Sequence, residues 1–493
     1  MLSPEISTIL PPEILLQIFH HATEGRLVIE HRTRCIQLDT IHVCTLWREA
    51  ALGDASLWTT IVLWISMNDA LDGGTIVSHR YISSLFALAI HNARGSLLDL
   101  SMFLRHSLED NSTETAEGVT RDQNDPILSP EVELASQIVA TSPRWRAIKL
   151  QVSTPKGIRF ATSLMQARGN LQELREADIL AVGKSEFDFA PMIAAPSLQK
   201  LRCHWIDQLV LPSRLTSISI QVRLESSVWI QTLLLCKSLR YIAIMGGGDW
   251  NDAGSSNNAG IVPTTLQHVI ELRTDHPPCL VKWLTLPSLA KLHIKLCPEH
   301  HTCLDLFFQR SACRLHTFST VAAPVLHDIR LLPTLCPILN AVEYLAIDSS
   351  DIGHDTNPFL TLLSILRDVQ SLPLLHTINI MHLSVGPPQS FFGVRSAVIG
   401  LRDAIQVRRE AGRLQRVIVW LKCLEDVIYE PRANGNVGAR YFNALEDLQS
   451  WNASYDPAVD ISVHVLGSRV AHLIVLNDEH GSKREHHIQW EMS

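Results

Sequence analysis

The sequence predicts an α/β protein in which an N-terminal helical unit is followed by an irregular solenoid. Parallel strands would line a horseshoe, with helices outside. Three observations carry this prediction. Apolar helical faces lie within residues 10–63, a short apolar pattern then recurs along most of the chain, and stretches of helical character separate its copies. At 493 residues the chain is too long for one ordinary globular core, which favours several domains or a repeat array.

The N-terminal unit starts with two prolines, Pro11 and Pro12. Proline suits the first turn of a helix, because its fixed φ is already helical and its missing N–H is not needed there. One helical face follows, made of Ile14, Leu15, Ile18 and Phe19. A second apolar face contains Ile41, Val43, Leu46, Trp47 and Ala50, and Leu57-Trp58 closes the unit. On composition alone, this stretch also fits the first helices of a larger α domain.

The order of these landmarks resembles the F-box, in the form common in fungal F-box proteins. Leu-Pro-Pro-Glu-Ile-Leu is followed by Ile-Phe, then by Val-Cys-x-x-Trp-Arg, and finally by Leu-Trp-x-x-Ile. The resemblance implies that residues 1–64 dock on the Skp-family adaptor of an SCF-type cullin–RING ubiquitin ligase. The residues expected to make the domain's own packing and the adaptor contact are Leu10, Pro11, Pro12, Glu13, Ile14, Ile18, Phe19, Val43, Cys44, Trp47, Leu57 and Trp58.

Residues 65–96 are predicted to form a helical connector. Ile82, Phe86 and Ala89 share one face of it, and Gly95 would end it in the usual C-terminal manner. Two mobile insertions are predicted further on, at about residues 105–130 and 246–262. The first is acidic and lacks periodicity, so it cannot bury enough apolar surface to offset the entropy lost on ordering. The second contains a glycine run without the Gly-Lys-Ser/Thr ending of a phosphate-binding loop.

From Leu97 onward, apolar residues recur at positions i, i+3 and i+5, as in Leu198-Leu201-Cys203 and Leu289-Leu292-Ile294. Positions i+3 and i+5 would both point inward from a short strand. With helical stretches between copies, this spacing is typical of a leucine-rich repeat solenoid, which we expect over residues 97–430. Residues 431–493 would form a C-terminal cap and tail. An ordinary α/β sheet of strand–helix units is the alternative.

The same register predicts which side chains line the concave face, because i+2, i+4 and i+6 would point there. The strand that starts at Leu198 would present Lys200, Arg202 and His204. The strand that starts at Leu171 would present Arg175 beside Arg202. A second basic group contains Lys291, His293 and Lys295. These groups could hold an acidic or phosphorylated peptide, although the pattern favours an ordinary solvated charged face.

Three aromatic residues stand at equivalent strand positions. They are Tyr241, Tyr344 and Trp420. Aromatic side chains tend to dominate the energy of protein interfaces, so these residues are candidate anchors for a protein substrate.

The net charge limits the classes of binding partner, and the cysteine content indicates the cellular compartment. A net charge of −8 and a pI near 6.3 give no support for nucleic-acid binding. The ten cysteines are dispersed and include no C-x-x-C pair, which suits a reducing compartment. Neither a signal peptide nor an apolar run of membrane-spanning length is evident. We therefore expect a soluble protein of the cytoplasm, the nucleus or both, with no membrane partner.

No motif of catalysis is recognisable, and we expect an adaptor without enzymatic activity or cofactor. The segment from Cys297 to Cys303 holds two thiols and two imidazoles, but no second pair lies at the spacing of a zinc finger, so no metal is predicted. Two other functions remain open at this point. One is a leucine-rich repeat scaffold whose F-box-like helices only cap the solenoid. The other is a hydrolase, which would need a deep pocket with convergent titratable residues.

Overall fold

The computed structural model describes most of the chain, with gaps. The described residues are 10–30, 36–67, 73–105, 129–167, 169–181, 190–204, 211–222, 232–233, 235–246, 263–275, 281–296, 301–322, 339–348, 363, 366–385, 391–412, 414–423 and 460–466. The chain has two compact units, Met1–Leu239 and Arg240–Ser493. No helix in the described ranges combines the length and hydropathy needed to cross a bilayer.

The first unit is built on parallel strands that pair in the order of the chain. Its strands are β1 (Leu27–Ile29), β2 (Thr60–Ser66), β3 (Leu98–Arg105), β4 (Trp145–Val152), β5 (Glu176–Ala181), β6 (Lys200–His204) and β7 (Ser217–Val222). Its helices are α1 (Pro12–Thr23), α2 (Ile36–Ile41), α3 (Thr45–Gly53), α4 (Gly73–Asn92), α5 (Ser129–Ala140), α6 (Pro155–Leu164) and α7 (Ala190–Ile193). Short 3-10 segments cover Ala55–Trp58, Ser142–Arg144 and Met165–Ala167.

Local sequence explains where the first elements begin and end. Helix α1 starts directly after Pro11 and ends at Thr23, because Glu24 and Gly25 both adopt left-handed φ angles of 50° and 68°. That turn sends the chain into β1. Side chains of β2, β3 and β4 then alternate between buried and partly exposed, so one face of these strands forms the core.

The second unit repeats this architecture. Its strands are β8 (Tyr241–Gly246), β9 (Thr264–Thr265), β10 (Glu271–Thr274), β11 (Leu284–Thr285), β12 (Lys291–Leu296), β13 (Thr317–Ala322), β14 (Tyr344–Asp348), β15 (Thr377–Val385), β16 (Arg416–Cys423) and β17 (Asp460–Leu466). The main sheet runs β8-β10-β12-β13-β14-β15-β16-β17, all parallel, while β9 and β11 form a separate two-stranded ladder. The helices are α8 (His301–Ser311) and α9 (Phe391–Glu410).

This arrangement of N-terminal helices followed by long parallel sheets agrees with the predicted α/β class. The strands, however, extend beyond the predicted range of residues 97–430. Strands β1 and β2 precede it, and β17 lies within the region predicted as a cap and tail. Most of the two insertions predicted at about residues 105–130 and 246–262 lies outside the described residues, namely 106–128 and 247–262. Of the rest, Arg105 ends β3, Ser129 and Pro130 begin α5, and Gly246 ends β8.

One strand has a register that differs from the prediction, and another departs from the apolar pattern. In β5 the buried series is Leu174-Ala177-Ile179, so the pattern starts three residues later than Leu171. In β10 the buried series is Val269, Leu272 and Thr274, and its last member is polar. The small Ala177 and the polar Thr274 fill inward positions, and a search for large apolar side chains therefore passes over them.

Candidate protein-binding sites

Aromatic side chains hold the N-terminal helices together. The rings of Phe19 in α1 and Trp47 in α3 meet edge to face, with centroids 5.2 Å apart. Trp58 is buried, and its indole Nε1 donates a 2.9 Å hydrogen bond to the carbonyl of Ala51 in α3. Leu57 beside it is also buried. Phe19, Leu57 and Trp58 are therefore core residues of this domain.

A polar cluster fixes the end of α3 against α1. Asp54 follows α3, and its carboxylate accepts hydrogen bonds from the backbone N–H of Ser56 at 2.9 Å and from the Ser56 hydroxyl at 2.7 Å. His20 Nε2 lies 3.0 Å from the other carboxylate oxygen. Partial burial works to raise the pKa of Asp54, but the hydrogen bonds from Ser56 and His20 outweigh it and lower that pKa.

The same domain leaves several apolar side chains in contact with solvent. Ile14 and Ile18 are 39 % and 42 % exposed, and Val43 is 51 % exposed. Ile14 and Ile18 lie one turn apart on α1, so they share a helix face. Pro11, Pro12 and Glu13 are exposed as well, whereas Leu10, Cys44 and Trp47 are half-buried. The predicted set thus separates into a buried core group and an exposed group.

A comparison with protein families identifies this stretch. The family model described as F-box-like matches residues 8–64. The chain carries an F-box-like domain. F-box-like domains generally bind Skp-family adaptors, and the match supports an F-box protein. A comparison with curated proteins finds no match to the chain.

The predicted basic group of the first unit is paired with acidic side chains. Lys200 Nζ lies 2.6 Å from Glu176 Oε1, and Arg202 Nε lies 3.9 Å from Asp178 Oδ1. The expectation that Arg175 lies beside Arg202 is wrong, because Asp178 is the register partner of Arg202. Arg175 precedes β5, where its carbonyl accepts hydrogen bonds from the two N–H groups that lead into β6. The side chain of His204 lies outside the described residues.

The second basic group is compensated in a similar way. Lys291 Nζ and His293 Nε2 lie 3.7 Å and 3.6 Å from the carboxylate of Glu271 on the neighbouring strand. Burial lowers the pKa of His293, although Glu271 acts in the opposite direction. Lys295 is half-buried on the same strand. This group therefore carries less uncompensated positive charge than the sequence suggests.

The three predicted aromatic anchors have different surroundings. Tyr344 is half-buried, and its hydroxyl accepts a 2.9 Å hydrogen bond from Asn379 Nδ2 on β15. Tyr241 is half-buried in β8. Trp420 belongs to β16, in register with His464 of β17, and its side chain lies outside the described residues. The structure leaves the proposed role of these residues in substrate binding as a prediction.

Sequence reasoning missed an aromatic pair on the first unit. Trp64 of β2 and Phe103 of β3 are register partners whose rings stack with centroids 4.2 Å apart. The guanidinium of Arg105 lies 4.1 Å from the centre of the Trp64 ring. The signal was present, because Trp58, Ile61 and Leu63 follow the i, i+3, i+5 pattern and Trp64 comes directly after it. The repeat pattern was expected only from Leu97 onward.

Proposed function

We propose that this protein is the substrate-recognition subunit of an SCF-type cullin–RING ubiquitin ligase. Its F-box-like domain binds a Skp-family adaptor, and through it a cullin, while the strands that follow hold a protein substrate. The exposure of Ile14, Ile18 and Val43 carries this proposal, because Phe19 and Trp58 are already buried inside the domain and these three side chains are not. Exposed apolar groups of this kind gain stability when a partner removes them from water.

We further propose that the strand array is an irregular leucine-rich repeat solenoid, as in the fungal F-box proteins that the N-terminus resembles. Chain-order pairing of parallel strands in each unit supports this, and so does the burial of the i, i+3 and i+5 positions at Leu198, Leu201 and Cys203. In this proposal the protein is not an enzyme and needs no cofactor, since other subunits of the ligase transfer ubiquitin.

A location in the cytoplasm, the nucleus or both belongs to the same proposal. The thiols of Cys44, Cys203, Cys236, Cys303 and Cys313 are free. Free thiols are compatible with the reducing compartments in which cullin–RING ligases would meet their substrates.

A scaffold function is the second candidate, because one observation favours it. Strands β1 and β2 belong to the F-box-like domain and also extend the sheet of the first unit, so this domain covers one sheet edge. A domain that served only as a cap would turn Ile14 and Ile18 toward the strands. Both side chains are instead exposed, and the adaptor role accounts for that exposure better.

The test is co-purification of the full chain with a Skp-family adaptor. Replacing Ile14 and Ile18 together by Asp puts charge on the exposed face of α1 without touching the buried Phe19, so the fold should survive. We expect adaptor affinity to fall by at least about tenfold.

Two matched controls accompany this variant. Replacing both residues by Val keeps the face apolar, and Ser84→Asp adds a negative charge at an exposed position of α4. Both should retain the adaptor as the unmodified chain does. Adaptor binding that survives the double Asp change, in a chain with an unaltered circular dichroism spectrum, would favour the scaffold.

A further inference from the structure

We propose that the substrate docks on a cationic platform formed by Trp64, Phe103, Arg105 and Lys149, and that the segment it presents is an extended acidic peptide with an aromatic side chain. This inference rests on the proposed receptor function and names the class of substrate. The platform differs from the basic groups predicted from the sequence, and it lies on β2, β3 and β4 of the first unit.

The geometry of the platform comes from strand register. Trp64 and Phe103 are cross-strand partners, and their rings are nearly parallel, with an interplanar angle of 14°. Arg105 lies two residues further along β3, on the same side, and its guanidinium contacts both rings, 4.1 Å and 5.6 Å from their centres. Lys149 Nζ of β4 lies 5.6 Å from the centre of the Phe103 ring. Two cations therefore flank one aromatic pair.

The platform faces away from the core. Ile65, Met102 and Leu150 alternate with the platform residues along the same strands, and all three are buried. Trp64, Phe103 and Lys149 are half-buried, and Arg105 is exposed. Part of each ring and the guanidinium are thus accessible to a molecule that approaches this face of the sheet.

Ionic pairing distinguishes Arg105 from its neighbours. Arg146 Nε donates a 2.9 Å hydrogen bond to Asp99, and Lys200 and Arg202 face the carboxylates of β5. Among the described residues, Arg105 has no carboxylate partner and lies on the aromatic rings instead. Stacking fixes the guanidinium plane, so its N–H groups are already oriented for a carboxylate and binding costs less side-chain entropy.

These features select the ligand chemistry. A guanidinium binds a carboxylate with two parallel hydrogen bonds, and Lys149 adds a second positive charge nearby. The exposed part of the two rings favours contact with another aromatic side chain. An acidic segment that also carries an aromatic residue satisfies both requirements. Its acidic groups are carboxylates of Asp or Glu rather than doubly charged phosphates, since Arg105 is the platform's one guanidinium and Asp178, 4.0 Å from Lys149, partly compensates the second charge.

A purely structural role is the competing explanation, because cross-strand aromatic pairs also stabilise sheets. The two explanations differ in what Arg105 does. A stabilising pair needs the rings and gains little from an exposed guanidinium. A docking platform loses its ligand when that guanidinium is removed, even though the sheet remains folded.

The experiment measures fluorescence anisotropy of a labelled random copolymer of glutamate and tyrosine with the full chain bound to its Skp-family adaptor. We expect binding to weaken by roughly tenfold in Arg105→Ala and to change by less than about twofold in Arg146→Ala. Arg146 is the matched control, because it is an exposed arginine on the adjacent strand whose charge Asp99 already neutralises. Polyglutamate should bind more weakly than the copolymer, and a lysine–tyrosine copolymer should not bind.

Several results would overturn the platform. These are equal binding by Arg105→Ala and the unmodified chain, binding only to a tyrosine-phosphorylated copolymer, or loss of binding when the adaptor is present. Adaptor retention is measured on the same preparation and reports on the receptor function separately. A chain that binds the copolymer but not the adaptor would refute the receptor function and leave the docking assignment intact.

Discussion

A buried ionic cluster in the first unit shows how strongly the stability of the fold can depend on one side chain. Glu131 at the start of α5 is 1 % exposed, and its Oε1 lies 3.0 Å from Lys156 Nζ of α6 and 3.8 Å from His79 Nδ1 of α4. The carboxylate therefore joins three helices. Removing one partner of a buried pair leaves the other charge uncompensated, which costs far more than a surface pair is worth.

Glu131→Gln should lower the free energy of unfolding of the first unit by about 3 kcal/mol or more. Amide hydrogen exchange in α5 and α6 measures this loss locally. Glu133→Gln, at an exposed position of the same helix, is the control and should change exchange by less than about 0.5 kcal/mol. Equal protection in the two variants would contradict the structural role of the cluster.

The lowered pKa of Asp54 allows a prediction of how the stability of the F-box-like domain changes at acidic pH. Its pKa is lowered in the folded protein, so it stabilises the fold above pH 3.8, the ordinary pKa of an aspartate. That contribution is lost as the pH falls through the lowered pKa. Asp54→Asn should cost on the order of 1 kcal/mol near neutral pH and flatten the acid limb of the stability curve. Stability curves with the same slope below about pH 4 would contradict this prediction.

Part of the site followed from residue identity, and part did not. The order of Leu10, Pro11, Val43 and Trp47 pointed to an F-box, and the family match agrees. Which side chains face outward did not follow, because Ile18 and Phe19 are equally apolar and adjacent. Only the packing of α1 against α3 buries Phe19 and leaves Ile18 exposed. Cross-strand partners such as Asp178 also depend on a register that single strands do not reveal.

At the level of elements, the N-terminus of α6 is packed against its own cap. The hydroxyl of Thr154 accepts a 3.0 Å hydrogen bond from the N–H of Gly157. A Cβ atom on Gly157 would come within 2.9 Å of that oxygen and 3.1 Å of Leu104 and Val152. Glycine is therefore required here by close approach rather than by backbone angles.

Gly157→Ala should destabilise the first unit by about 1 to 2 kcal/mol, although alanine is the better helix former. Gly53→Ala should have the opposite effect on the free energy of unfolding. Apart from its chain neighbours and the backbone of its own helix, no atom of the described residues lies within 4 Å of a Cβ at that position of α3, so the substitution should stabilise by up to about 1 kcal/mol. Thermal unfolding of the two variants checks both signs, and a stabilising Gly157→Ala would mean that the cap can shift.

A buried arginine organises a turn in the second unit. Arg408 of α9 is 1 % exposed, and its guanidinium donates to the carbonyls of Leu366, Asp368, Ser371 and Leu372. Arg408→Lys keeps the charge but loses the planar fork, which leaves buried carbonyls without donors. We expect a loss of about 2 kcal/mol, measured by hydrogen exchange across residues 366–375. Arg402→Lys, at an exposed position of the same helix, should have no measurable effect.

The strands show which secondary-structure elements the apolar pattern of the sequence can locate and which it cannot. The i, i+3 and i+5 pattern located β6 and β12 well, since buried apolar side chains fill both inward positions, Leu201 and Cys203 in β6 and Leu292 and Ile294 in β12. The three-residue strand β1 is too short to show a period, and its place beside β2 depends on backbone hydrogen bonds formed across a long connection. Such pairings are properties of the assembled sheet rather than of the segment.

For the molecule as a whole, deletion of residues 1–64 should have a larger effect than loss of adaptor binding. The deletion removes β1 and most of β2, so β3 becomes an unprotected edge strand with free N–H and C=O groups. We expect the truncated chain to self-associate, as measured by size-exclusion chromatography with light scattering. The full-length variant with Ile14→Asp and Ile18→Asp should have the same molar mass in solution as the unmodified chain. A monodisperse truncated chain would show that the sheet does not need this cover.

Chain-order pairing also has a consequence for biosynthesis. Each strand of the first unit, from β2 to β7, pairs with the strand directly before it in the sheet, which the ribosome has already released. No strand among them has to wait for one encoded far downstream, so this unit can assemble progressively during translation. Because β1 and β2 precede the other strands of this unit, they can form the template on which the growing sheet is laid down. The F-box-like domain would then have a role in folding in addition to its proposed role in adaptor binding.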